Sequence, residues 1–185
     1  MSVSKDKIRA EVLDQRRAVD RDDLAVRSLE ICNRVAEESL FLDAGGLHIY
    51  SPLETEVNVR PLLEVAWALG IETGMMVVDE EGGSRHVEIS EETTFRKGAF
   101  NLMQPVEDVP FDMTRCDLVL VPAVAVDPNR NRIGYGKGYY DQFLTKYPRP
   151  TICPVFDLQV VDLVEATDRD VLLDIVLTET RRFAQ

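Results

Sequence analysis

Histidine, cysteine and tryptophan are scarce in this chain: two, three and one in 185 residues. His48 and His86 read as a core or edge histidine within a strand and a loop residue, and they form no His/Cys set of metal-site spacing. Cys32, Cys116 and Cys153 are odd in number and far apart, which argues against a disulfide framework and for reduced thiols in a cytoplasmic protein. Basic residues are also in short supply. Lys and Arg number 21 against 33 Asp and Glu, a formal net charge of −12. That balance speaks against nucleic acid or an anionic membrane as partner, so an anionic ligand must meet basic residues gathered locally. No apolar run approaches the ~20 residues that cross a bilayer. The opening MSVSKDKIRAEVLDQRR is charged throughout and lacks the apolar core of a secretion signal. The expectation is a cytoplasmic monomer that takes small-molecule substrates, with no membrane or nucleic-acid partner, folded as one domain over residues 1–185.

Hydrophobic residues make up 45% of the chain, enough for a sizeable core, and their spacing alternates between two periods. Residues 1–40 read as helix broken near VDRDD, with Asp20 or Asp22 as cap of the second part. GGLHIYSP reads as a strand, and residues 59–69 as a helix with Pro61 in its first turn and Gly70 past its end. IETGMMVV is a second strand, and DEEGGSRHVEIS a hairpin or loop around Gly82 and Gly83. CDLVLVPAVAVD is a nearly continuous apolar run, the pattern of one strand buried on both faces. A helix over 139–147 and two last strands, TICPVF and LDIVLTE, complete the series. Strands alternating with helices predict an α/β fold, a three-layer domain with a mainly parallel central sheet flanked by helices. Ligands of such sheets bind beyond the carboxyl ends of the strands, where the segment 127–138 is expected.

That segment ends in RIGYGKGYYDQFL, with Gly134, Gly136 and Gly138 directly before a helix. A Walker A loop is excluded because Lys137 is followed by glycine, and a dinucleotide fingerprint because Gly138 arrives one residue early. Two readings remain open: a tight turn, or a cradle whose backbone N–H groups meet an anion at the helix start. Arg132 and Lys137 bracket the loop with positive charge. Asp141 either favours the helix dipole or holds Mg2+ through one carboxylate oxygen.

VPAVAVDPNRNRIGYGKGYYDQFL resembles the signature of the 5-formyltetrahydrofolate cyclo-ligases, also called methenyltetrahydrofolate synthetases. KDKIR, SPLETEV and DVLLDIVLTE are similar to further blocks of that family, in the same order. The resemblance implies ATP and Mg2+ as cofactors and closure of 5-formyltetrahydrofolate to 5,10-methenyltetrahydrofolate. It implies that ATP is bound by Lys5 and Arg9, four apart on one helix face, and by Arg132, Gly134, Tyr135, Gly136, Lys137, Gly138, Tyr139 and Tyr140. Lys137, Arg132 and Tyr140 are the expected catalytic residues, and Glu56, Tyr50, Phe100 and Tyr140 the expected folate contacts. Asp141 and Asp174 are the expected Mg2+ ligands; a carboxylate heading an apolar strand needs a partner, and a metal would supply one. Thr-Asp-Arg-Asp at 167–170 replaces the family's Glu-x-His-Asp, and GMMVVDEEGGSRHVEIS also departs from its pattern. These departures leave a second reading, a nucleotide-binding regulatory module that keeps the fold without folate turnover.

Overall fold

The computed structural model describes residues 4–168 and 170–185. Arg169 of the Thr-Asp-Arg-Asp segment, and the first three residues of the charged amino-terminal stretch, lie outside the described residues. Helix α1 (Lys5–Ala18) starts at Ser4, whose hydroxyl accepts from the Lys7 N–H, and α2 (Arg21–Ala36) starts at Asp20, whose carboxylate accepts from Asp22. These caps satisfy amide groups that a helix start leaves unpaired, so the break falls at Val19 and Asp20. After a single turn, α3 (Ser39–Leu42), come β1 (Gly46–Ile49), α4 (Pro61–Ala68), β2 (Glu72–Val78) and β3 (Ser84–Ile89). Then follow β4 (Phe95–Lys97), β5 (Met103–Pro105), β6 (Leu118–Leu120), β7 (Ala125–Val126) and β8 (Arg132–Ile133). Helix α5 (Tyr139–Lys146), β9 (Thr151–Pro154), β10 (Ile175–Leu177) and β11 (Arg182–Ala184) close the chain.

The central sheet has seven strands in the order β11-β10-β9-β6-β1-β2-β3. Every pairing from β10 to β2 is parallel, and the edge strands β3 and β11 run antiparallel. Successive strand residues face opposite sides. Leu47, Ile49, Leu118, Leu120 and Ile152 pack with Ile31 and Val35 of α2 and Leu62 and Ala66 of α4. Val119, Val121, Cys153 and Val176 face the other way, onto Phe143 and Leu144 of α5. The expected three layers are present, with α1 set apart on a smaller cluster of Ile8, Val12, Val124 and Ile133. Among the described residues, no helix is long and apolar enough to cross a membrane.

Chain direction from strand to strand reverses between β1 and β6, which are neighbours in the sheet although β2 follows β1 in sequence. A crevice opens at such a switch point, beyond the carboxyl ends of the strands. Three expectations need correction here. CDLVLVPAVAVD is two strands, because Pro122 has no N–H to continue the ladder after Val121 bonds to Ile152. Its second half, β7, leaves the sheet and pairs antiparallel with β8. The segment after Asp127 is therefore a hairpin turn, closed by the buried Asp127 carboxylate accepting from Asn131 and Val164. His86 is a strand residue, opposite Met76 in β3, with Nδ1 lying 3.0 Å from His48 Nε2. A last antiparallel strand, β11, and the small β4–β5 ladder add to the expected elements.

Candidate active site

A cleft of about 500 Å³ opens at the switch point, lined by residues that follow β1 and β6 and by the glycine loop. The loop is carried by the β7–β8 hairpin and ends in α5, whose cap Gly138 has φ +73°. Gly136, at φ +87°, also takes the left-handed conformation that a side chain disfavours. Gly134 has no such need; a Cβ there would stand 3.1 Å from Arg132 Nη1. The loop is thus shaped by backbone conformation at two glycines and by close approach of a guanidinium at the third.

Arg132 is buried, and its Nη2 donates to Asp141 Oδ1 at 2.7 Å. Its Nε is buried with no partner among the described residues. Arg9 Nε donates to the Gly134 carbonyl at 2.8 Å, so α1 holds the loop from outside. Lys5 lines the same end of the cleft and donates to Asp170 Oδ2 at 2.6 Å. Lys137 is exposed at the mouth. Tyr139 and Tyr140 line the wall, and burial raises the Tyr140 hydroxyl far above the ordinary phenol range. Tyr140 therefore enters the cleft as a neutral donor.

At the other end the lining is apolar: Met76, Val78, Leu102 and Phe100. Phe100 is 54% exposed and has φ 57° and ψ 24°, as unusual for a bulky residue as its exposure. Glu56 is 8% exposed and accepts from the Leu53 N–H at 2.7 Å. Burial raises its carboxyl above the usual range, while the Leu53 bond, the Arg16 charge and Tyr135 pull the other way. Tyr50 is buried beside it, its hydroxyl donating to the Val57 carbonyl at 3.0 Å.

Every expected site residue but one lines this cleft. The exception is Asp174, at the amino end of β10, opposite the edge where the cleft opens. Its Oδ2 accepts from Thr151 N–H and hydroxyl at 2.8 and 2.9 Å, and its own N–H donates back to that hydroxyl. The partner that its position demands is a threonine. Asp170 does line the cleft, and the adjacent Val171 N–H points at Asp141 Oδ1, 3.4 Å away. Burial works against the Asp170 carboxylate, but bonds from Lys5 and Thr167 outweigh it and hold it below the usual range. Asp141 Oδ2 and Asp170 Oδ1 accept no hydrogen bond among the described residues, where both oxygens of Asp127 do. Asp141 and Asp170 are the carboxylates of this lining on the side of Lys5 and Arg132, and Mg2+ needs only one or two such ligands beside water and phosphate oxygens. The reading of the sequence also missed Arg16, although Ile8, Val12 and Arg16 at intervals of four share the buried face of α1.

The profile of the 5-formyltetrahydrofolate cyclo-ligase family matches residues 1–179. The 5-formyltetrahydrofolate cyclo-ligase of Mycolicibacterium smegmatis is 28% identical over 187 residues, covering 96% of this chain and 95% of that protein. That of Mus musculus is 23% identical over 188 residues, covering 93% and 92%. The solved structure of the Aquifex aeolicus 5,10-methenyltetrahydrofolate synthetase matches with a TM-score of 0.85 at 24% identity, over 97% of this chain and 92% of that one, a likeness of fold. Because the family match spans the glycine loop, the Glu56 loop and α1 alike, this chain belongs to the 5-formyltetrahydrofolate cyclo-ligase family.

Proposed function

We propose that this protein closes 5-formyltetrahydrofolate to 5,10-methenyltetrahydrofolate, coupled to conversion of ATP into ADP and phosphate with Mg2+ present. The observation that carries the reading is one cleft with two chemically opposite ends. Lys5, Arg9, Arg132, Lys137 and the glycine loop make a cationic end, and Phe100, Leu102, Met76 and the buried Glu56 an apolar end with one carboxylate. In a chain of net charge −12, four cations against the two carboxylates Asp141 and Asp170 at one mouth leave a local positive excess suited to a triphosphate. A flat heteroaromatic with ring N–H donors fits the other end, where Glu56 accepts and Phe100 covers.

A formyl oxygen is a poor leaving group until it is phosphorylated. In the proposed course it attacks the γ-phosphoryl group, ADP departs, the second folate nitrogen closes on the formyl carbon, and the oxygen leaves as phosphate while that nitrogen's proton passes to the departing phosphate or to water. The chain's part is alignment and charge, which phosphoryl transfer requires more than covalent help. Lys137 and Arg9 neutralise charge on the transferring oxygens, and Arg132 holds Asp141 in place. Tyr140 donates a hydrogen bond near the phosphorylated oxygen. The residues that would hold Mg2+ are Asp141 and Asp170, where it would neutralise phosphate charge. Site polarity supports a small-molecule enzyme over a binding module without turnover, since both ends of the cleft are furnished.

The test is absorbance of the methenyl product with ADP measured in parallel. Product and ADP should appear together, and only when 5-formyltetrahydrofolate, ATP and Mg2+ are all present. Folded protein giving neither would reject the proposal. Mg-ATP binding without folate binding would favour the regulatory module.

A further inference from the structure

Arg16 is a charged residue with 0% exposure, on the same stripe of α1 as Arg9 and two turns further on. A buried guanidinium is expensive unless hydrogen-bonded and compensated by negative charge. Its hydrogen bonds go to neutral oxygens. Nε donates to the Thr55 carbonyl at 2.9 Å, and Nη2 to the Thr55 hydroxyl at 2.9 Å and the Tyr135 hydroxyl at 3.0 Å. Nη1 is buried without a partner among the described residues. The carboxylate within its field is Glu56, the residue after Thr55. Tyr135 belongs to the glycine loop, so a single side chain of α1 grips that loop and the Glu56 loop together.

We propose that Arg16 is a positioning residue for folate: through Thr55 and the Tyr135 hydroxyl it fixes the Glu56 carboxylate against the bound ring. Arg16 lies outside the cleft lining and acts through these neighbours. The bond from Nη2 occupies a lone pair of the Tyr135 oxygen and leaves the phenol proton free, and Tyr135 lines the same cleft as Glu56. The result is a brace: one guanidinium holds the glycine loop through Tyr135 and the Glu56 loop through Thr55, by charge-assisted hydrogen bonds. This assignment rests on the folate reading of Glu56 given above.

A purely structural Arg16 would affect stability and the fraction of active protein, leaving the folate constant and its pH dependence alone. The groups facing Glu56 are Arg16 from α1, Tyr135 from the glycine loop, Tyr140 from α5, Tyr50 after β1 and Cys153 from β9. Arg16 is the only cation among them, and burial already raises Glu56. Removing that cation therefore raises the Glu56 carboxyl further, and folate binding is lost closer to neutrality as pH falls.

The experiment measures 5-formyltetrahydrofolate binding by calorimetry and the KM values for folate and ATP as a function of pH, from neutrality downward. It uses the wild type, Arg16→Gln and Tyr135→Phe. Arg16→Gln should weaken folate binding about tenfold, with the ATP constant within about threefold, and move the acid limb of folate binding upward. Tyr135→Phe leaves the buried guanidinium in place and should weaken folate in the same direction; it decides the matter if Arg16→Gln fails to fold. Folate constants within about twofold of wild type, with an unmoved acid limb, in every folded variant would overturn the role of Arg16. Wild-type protein that neither binds nor turns over 5-formyltetrahydrofolate would overturn the folate reading itself, and the assignment with it.

Discussion

Alanine at Gly136 and alanine at Gly134 perturb the same loop by different physical routes. At Gly136 a Cβ meets only Arg9 Nη2 and Cζ, at 3.6 and 3.7 Å, which is ordinary contact. The cost lies in φ +87°, where a side chain loses roughly 1–2 kcal/mol. For a chain of this size that corresponds to a fall in melting temperature of about 2–8 °C. At Gly134 the backbone accepts alanine, but the Cβ would stand 3.1 Å from Arg132 Nη1. That guanidinium is buried and tied to Asp141, so it must shift by a few tenths of an ångström inside the site. Gly134→Ala should therefore leave the melting temperature within about 2 °C of wild type and lower kcat/KM for ATP at least tenfold. Gly136→Ala should lower both, because its Cβ also stands beside the Arg9 guanidinium, a proposed phosphate contact. Melting and Mg-ATP affinity measured on one preparation separate the effects. If both variants bind and use ATP normally and Gly136→Ala is merely less stable, the loop is a turn and no cradle.

Lys137→Ala should reduce kcat/KM for ATP at least tenfold; a fall below about threefold, ~0.7 kcal/mol, would show an exposed lysine with no role in transfer. Asp170→Asn should raise the Mg2+ concentration needed for half-maximal turnover at fixed ATP, whereas Asp174→Asn should leave it unchanged and cost about 1 kcal/mol of stability through the Thr151 bonds; the reverse pattern would restore Asp174 as a ligand. Burial holds the fully buried His48 well below the usual imidazole value, and burial also lowers His86, with Lys146 adding to it. The unfolded chain therefore binds more protons below pH 6.5, and stability should hold above that pH and fall beneath it, by up to ~1.4 kcal/mol per pH unit for His48. Glu56, raised by burial, works in the opposite sense, so the difference between wild type and His48→Asn isolates the imidazole; parallel melting curves from pH 8 to 5 would refute the effect.

The parallel sheet was legible because its strands are apolar on both faces, its first two helices carry side-chain caps, and α4 opens on Pro61. Glycine spacing and flanking cations likewise pointed to a segment that lines the cleft. What the pattern hid depended on direction and partner. An apolar run such as CDLVLVPAVAVD keeps its composition on either side of Pro122, so periodicity could not show that β7 leaves the sheet. Asp170 and Asp174 both flank an apolar strand, and only the fold shows that one stands at the cleft and the other at the far end with Thr151. His48 and His86 become neighbours through the β1–β2–β3 pairing, which no local signal announces. Arg16 was readable from the spacing of Ile8 and Val12, but its purpose depends on a tyrosine 119 positions away.

The cleft also depends on contacts between distant parts of the sequence. Arg9 reaches Gly134 across 125 positions and Lys5 reaches Asp170 across 165, so its cationic end exists only when these segments have met. Contacts so distant in sequence carry a large loop-closure cost before they bring any return. A chain emerging from the ribosome cannot assemble this end until nearly all of it is out. Nucleotide, once bound, would brace the two chain ends against each other. Amide exchange slowing at once in α1 and around Asp170, more than in the sheet between them, would be the sign of that clasp.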